Sequence, residues 1–268
     1  MSRPPEDIAE RAVVGTAVHI EPQRSELISD GRCIPVASVL LGGIPRGAVI
    51  VLSGAGASAH DAADTMNRLA EHGYESVAAD LDSVIPDQAG SDHAAGLADV
   101  EALTGMLAER GWSREQTGLV GYGYGGRIAL VASAAAVFGA AVSIEPTGVE
   151  ELAASPDRIG GGRGVLTPWL GMFSVMEEDD RTQSLRTLGH WLWACSAAYT
   201  QIVTYPGVTP AFYQDSREAI GHAAAFDSWQ RVIEWLNLRV VPRPTPLAEA
   251  WRARVLACSG GDVRVGHE

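Results

Sequence analysis

The sequence predicts an α/β fold, a mostly parallel sheet with helices on both faces. Short apolar runs alternate with helical stretches along most of the 268 residues, the pattern of repeated strand–helix units. The chain is 46% apolar and long enough for one large core. No internal repeat and no linker interrupts Ala12–Leu238, so residues 12–238 read as one domain and 239–268 as a C-terminal extension.

The elements follow in order. "AVVGTAVHI" (Ala12–Ile20) and "CIPVASVLL" (Cys33–Leu41) read as an opening hairpin-like pair. "AVIVLS" (Ala48–Ser53) is a short buried strand, followed by the turn "GAGAS" and a helix near His60–His72. "ESVAADL" is a strand, and "LADVEALTGMLAERG" is an amphipathic helix ended by Gly111. The strand "TGLVGY", the helix "GRIALVASAAAV" and the strand "AAVSIE" come next, then a glycine loop, "IGGGRG". The strand "PWLGMFSV", a helix over Arg181–Ala197, the strand "TQIVTYP" and a helix over Arg217–Leu236 complete the domain. Right-handed crossovers are the default between parallel strands. "VVPRPTPL" breaks the pattern, "LAEAWRARVLAC" is a last peripheral helix, and the tail after Ser259 reads as disordered.

Composition narrows the function. A net charge of −13 argues against phosphate-mediated nucleic-acid binding. All 20 basic residues are arginine, so Schiff-base, P-loop and Ser–Lys chemistry have no lysine to use. Cys33, Cys195 and Cys258 form no C-x-x-C pair, which excludes a zinc site or disulfide framework of the usual spacing. The start, "MSRPPEDIAERA", lacks a signal-type apolar stretch. The longest uncharged run, Ile128–Ile144, is borderline for a membrane span and reads better as helix, turn and strand. The expectation is a reduced cytoplasmic protein with no membrane association and no cofactor, a small molecule as its partner and a homodimer left open.

The chemistry centres on "LVGYGYGGRIALV". Gly121, Gly123 and Gly126 fit a dinucleotide-binding turn, with Glu145 as the ribose-binding acid. The same residues fit a nucleophile elbow, G-x-[S/C]-x-G, with glycine where the nucleophile belongs. This strand is not the first of its unit, and Gly125–Gly126 is a double glycine of the kind that follows an elbow. Both points favour the second reading.

The flanks carry a resemblance. "GRCIPVASVLLGGIPRGAVIVL", "DAADTMNRLAEHGYESVAADL", "GYGYGGRIAL", "YPGVTPAFYQDSR" and "AAAFDSWQRVIEWL" together resemble the dienelactone hydrolase family of the α/β-hydrolases, from about Gly31 to Leu236. The resemblance implies the α/β-hydrolase fold and three catalytic positions: a nucleophile, a histidine and an orienting acid. Gly123 stands at the first and Pro210 at the second. Glu177 aligns with the third, and a shift of two or three residues would put Asp179 or Asp180 there. "LSGAGAS" replaces the family's His–Glu pair after the third strand.

Glycine keeps the strained turn while deleting its reactive atom. The backbone N–H of Tyr124 and one from Gly54 or Ala55 would still form an oxyanion-type hole. Tyr122 and Tyr124 flank the vacated position, and Ser53 ends its strand at the sheet edge where ligands bind; Asp80 ends the next strand at that edge. His190 and His222 read as surface residues of helices, Trp191, Cys195 and Ala198 as one core-facing helical stripe, and Arg163 as part of a glycine loop. The function expected is a small apolar carbonyl or carboxylate compound bound without a hydrolytic triad, for a non-hydrolytic reaction or none. The alternatives are an esterase or lactone hydrolase that uses unaligned residues, and an NAD(P)-binding protein through Gly121, Gly123 and Gly126.

Overall fold

The computed structural model describes residues 19–54, 59–81, 93–176, 180–214 and 219–259. Eight strands form one sheet: β1 (Gln23–Ser29), β2 (Arg32–Val39), β3 (Gly47–Ser53), β4 (Tyr74–Asp80), β5 (Thr117–Tyr122), β6 (Ala140–Ile144), β7 (Trp169–Val175) and β8 (Thr200–Pro206). Their order is β1-β2-β4-β3-β5-β6-β7-β8. All pairs from β4 to β8 are parallel, and β2 runs antiparallel to both β1 and β4. The helices are α1 (Ala59–Glu71), α2 (Ala94–Glu109), α3 (Tyr124–Ala135), α4 (Val149–Ala154), α5 (Asp180–Cys195), α6 (Ala219–Arg239) and α7 (Pro246–Ser259).

The central strands are buried on both faces, which is why they read as continuous apolar runs rather than alternating ones. One core holds Ile50, Leu52 and Leu119 with Leu103 of α2, Ile128 of α3 and Leu188 of α5. The other holds Val49, Val51 and Val120 with Met66 of α1 and Trp229, Val232 and Leu236 of α6. The period-2 alternation of β3 thus serves two helical layers at once. The 17-residue stretch from Ile128 resolves into α3, a turn and β6, as expected. Among the described residues no helix is long and apolar enough to cross a membrane.

Two expectations need correction. The opening hairpin exists, but its first strand is Gln23–Ser29, not residues 12–20, most of which lie outside the described residues. Asp30 and Gly31, both at positive φ, make the two-residue turn into β2. That Asp-Gly pair was the local signal that fixes the register. On α5, Trp191 packs against the core as expected, beside the buried Leu185, Leu188 and Leu192, while Cys195 is exposed and Ala198 lies past the helix end. The predicted stripe therefore keeps Trp191 and loses its other two members. The tail after Ser259 and residues 217–218 lie outside the described residues.

Beyond α6 the chain is clasped to the body. Val241 N–H donates to Glu115 O (2.9 Å) and Arg243 N–H to Arg46 O (3.0 Å). The Arg243 guanidinium stacks on Trp112, 3.8 Å from the ring centre, and donates to Gly111 O (3.1 Å).

Candidate active site

β5 ends at Tyr122 and α3 begins at Tyr124, so one residue makes the strand-to-helix turn. That residue, Gly123, sits at φ 55°, ψ −120°, a region costly for any residue with a Cβ. The turn is pinned from both sides. Gly123 N–H donates to Ile144 O (3.0 Å), and Gly123 O accepts from Thr147 N–H and Arg127 N–H, each at 3.2 Å. Among the described residues, a Cβ added at Gly123 would meet nothing within 4 Å. The described part of the elbow thus leaves room for a side chain at this position.

The neighbouring glycines do different work. A Cβ at Gly121 would collide with Gly125 O, and one at Gly125 with Leu52 O. A Cβ at Gly126 would sit 3.0 Å from Gly121 O. These three let the first turn of α3 ride directly on β5 and β3. A Cβ at Gly54 would lie 2.8 Å from Tyr124 Cβ and 3.1 Å from Tyr124 N, so the end of β3 and the start of α3 touch. Tyr124 N–H, in the first turn of α3, has no acceptor among the described residues, as expected for a helix N-terminus.

The glycine spacing therefore serves close helix packing and the elbow. The acid of the dinucleotide reading is also committed elsewhere. Glu145, held at φ 49° just past β6, accepts from Ser174 N–H and from Arg181 Nη2 (2.8 Å). The pair is buried, with side-chain exposures of 6% for Glu145 and 16% for Arg181.

The flanking tyrosines part to opposite faces. Tyr122 packs on the α1–α6 face, its ring 4.9 Å from that of Tyr213 and its hydroxyl 3.5 Å from Thr65 Oγ1. Tyr124 is half-buried against the other core. Burial pushes both phenols above their ordinary pKa. Ser53, 6% exposed, donates weakly to Ala79 O (3.4 Å) and ends β3 opposite Asp80 of β4. Ser53 lines a hollow of about 250 Å³ between α1 and the β1–β2–β4 side of the sheet. Pro210 lies exposed in the turn after β8, two residues before the buried Phe212. Ala55, Glu177 and Asp179 lie outside the described residues, and Asp180 opens α5. His190 and His222 are exposed on their helices, and Arg163 Nε reaches Gly160 O at 3.5 Å.

Sequence reasoning missed two polar networks around the elbow. Glu145–Arg181 spans 36 positions, and no local pattern pairs them. Arg127, buried in the first turns of α3, donates to His93 Nε2 (2.8 Å) and Glu151 Oε2 (2.9 Å). An arginine one residue after a double glycine was the available signal for the second.

The comparisons agree with this geometry. The model of the dienelactone hydrolase family matches residues 42–239. A protein of Escherichia coli strain K12 named "Putative carboxymethylenebutenolidase" is 28% identical over 144 residues, 53% of each chain. A like-named protein of Salmonella typhi is 29% identical over 142 residues, 52% of each. The chain spans about half the length of the curated relatives it matches. Among solved structures, a "Putative Dienelactone Hydrolase" of Klebsiella pneumoniae superposes with a TM-score of 0.66 at 23% identity, covering 81% of this chain and 98% of that one. Esterase 2 of Thermogutta terrifontis superposes with a TM-score of 0.63 at 14% identity, covering 84% and 96%. The sheet order, the one-residue elbow and the family match lead to one conclusion: the chain belongs to the dienelactone hydrolase family, with the α/β-hydrolase fold.

Proposed function

We propose that this family member binds a small, mostly apolar compound through its carbonyl or carboxylate, at the elbow, without forming a covalent intermediate. The observation that carries the reading is the space above Gly123: a turn of elbow shape, with no described residue within 4 Å of the missing Cβ, beside a Tyr124 N–H with no acceptor among the described residues. Such a donor polarises a carbonyl oxygen or holds an enolate. Ester hydrolysis of the usual kind needs a nucleophile and its base together, and loss of either removes most of the rate. Glycine and proline at those positions offer neither. The bound compound then undergoes a non-covalent step, such as isomerisation, cyclisation or elimination, or none.

The names of the relatives speak for a hydrolase, and one observation here favours that second reading. Ser53, a lining residue of the hollow, carries a hydroxyl one residue from the Gly54–Tyr124 contact. The deciding measurement is turnover of 4-nitrophenyl acetate together with labelling by a fluorophosphonate probe. We expect the wild-type chain to match Gly123→Ala in the first and to show no adduct in the second. Steady turnover that disappears in Ser53→Ala would replace our reading with the hydrolytic one.

A further inference from the structure

The hollow beside Ser53 is built in a way that points to an occupant. Its walls carry Ala37 of β2, Ala78 and Ala79 of β4, and Ala62 and Ala63 of α1. Farther along the same face, β2, β3 and α1 meet through Val39, Val49, Val51, Met66 and Leu69. Here Ala37, Ala62 and Ala78, which share one face of the sheet, stand where larger side chains would close the gap, while Ala79 turns its methyl to the other core. The wall beyond α1 is fixed rather than loose. Asn67 of α1 takes Ile20 N–H on its Oδ1 (2.7 Å) and donates from Nδ2 to Ile20 O (2.9 Å), so the segment leading into β1 is tied to α1 by a two-bond clamp. Glu21 and Arg24 add charges of opposite sign to the lining, which leaves no net charge to attract an ion.

We infer that this alanine-walled chamber receives the unbranched aliphatic chain of the compound whose carbonyl meets the elbow. The inference rests on the proposed function and names its substrate class: a straight-chain acyl or alkyl ketone type, rather than a bulky ring. The chain enters past Ser53, next to the Gly54–Tyr124 contact, and runs between α1 and the β2–β4 ends. A volume of about 250 Å³ holds roughly eight non-hydrogen atoms at about 30 Å³ each, taking liquid water as the measure. Walls of methyl groups reward each added methylene until the chamber is full.

The test uses the full chain and a series of 2-alkanones from 2-butanone to 2-undecanone, read by ligand-observed NMR and by thermal shift. Affinity should rise about fourfold per methylene, the burial worth of one CH₂, and break at about eight carbons. In Ala63→Leu, on the partly exposed side of α1, three added carbons should move the break down by about three. Ala37→Leu, from the opposite wall, should do the same, so a folding failure in one variant leaves the other to decide. A series with no break, or a break that stays put in a folded variant, overturns the chamber while leaving carbonyl binding at the elbow intact. Absence of binding by every ketone, 2-butanone included, overturns the chamber and the proposed function together.

Discussion

Gly123 separates the shape of a catalytic turn from its chemistry. Its φ of 55° is one that L-residues rarely adopt, yet no atom of the described residues stands in the way of a side chain there. A substituted residue should therefore pay the backbone term alone, about 1–3 kcal/mol. Gly123→Cys combined with Pro210→His supplies a thiol and an imidazole at the two positions that the sequence aligns with the family's nucleophile and histidine. If the loop after β8 has kept its family position, the double variant should show faster iodoacetamide alkylation than Gly123→Cys alone, together with slow ester turnover. Either single change should remain inactive, because nucleophile and base act as a unit. A folded double variant whose thiol reacts no faster than that of the single one would show that residue 210 no longer faces the elbow. Glu145 teaches a related lesson. Its positive φ and its burial were invisible in the sequence, where an acid after a strand suggested a ribose contact. The partner that decides its role, Arg181, becomes a neighbour only once β7 and α5 are in place.

At the scale of elements, α3 shows how tightly the elbow is fastened. Its first turn lies against the backbone of β5 and β3, and Gly125 faces Leu52 O with no room for a methyl group. Gly125→Ala should thus cost far more than Gly123→Ala. Overpacking of a close backbone contact costs typically 1–3 kcal/mol or more, and here the obstacle is main chain, which cannot rotate aside. Urea midpoints of the two variants should differ, with Gly125→Ala the less stable by at least about 2 kcal/mol; equal midpoints would mean that α3 can lift off the sheet cheaply. The elements themselves were legible in the sequence. β3, β5 and β7 announced themselves as apolar runs, and α2 and α6 by helical spacing. The opening strand was misplaced because "AVVGTAVHI" has strand-like composition, whereas "QRSELIS" is polar and exposed as an edge strand. What identified it was the Asp30–Gly31 turn. α4 went unread because six residues carry too little periodicity. The site was legible where the backbone makes it, at Gly123, Tyr124 and Gly54, and not where distant side chains do.

For the whole molecule, paired carboxylates tie stability to pH. Burial alone would raise Glu75, but bonds from Arg110, Trp112 and Leu41 N–H outweigh it and hold its carboxyl below the ordinary range. Asp227 is likewise lowered, burial being outweighed by Arg231 and Tyr205, and Glu151 is lowered by Arg127. A group depressed in the folded state contributes stability above its unfolded pKa, about 4, and loses it as pH falls through the folded value. Stability should therefore be level between about pH 6 and 8 and decline below about pH 4. Glu75→Gln should lower stability at pH 7 by about 3 kcal/mol, the low end for breaking a buried pair, since Arg110 is 35% exposed. Its acid decline should be shallower than that of the wild type. Parallel profiles from chemical denaturation across that range would assign the acid sensitivity to other carboxyls.

The clasp beyond α6 has a mechanical consequence. Val241 and Arg243 hang the chain on Glu115, Arg46, Gly111 and the face of Trp112, all near the entry ends of β3 and β5. A tug applied to α7 is therefore met at the middle of the sheet, by bonds that must shear, before any of it reaches α6 or the edge strand β8. The outermost helix is moored to the innermost strands, so the C-terminal end can be tethered to a bead or a surface without peeling the sheet from its edge.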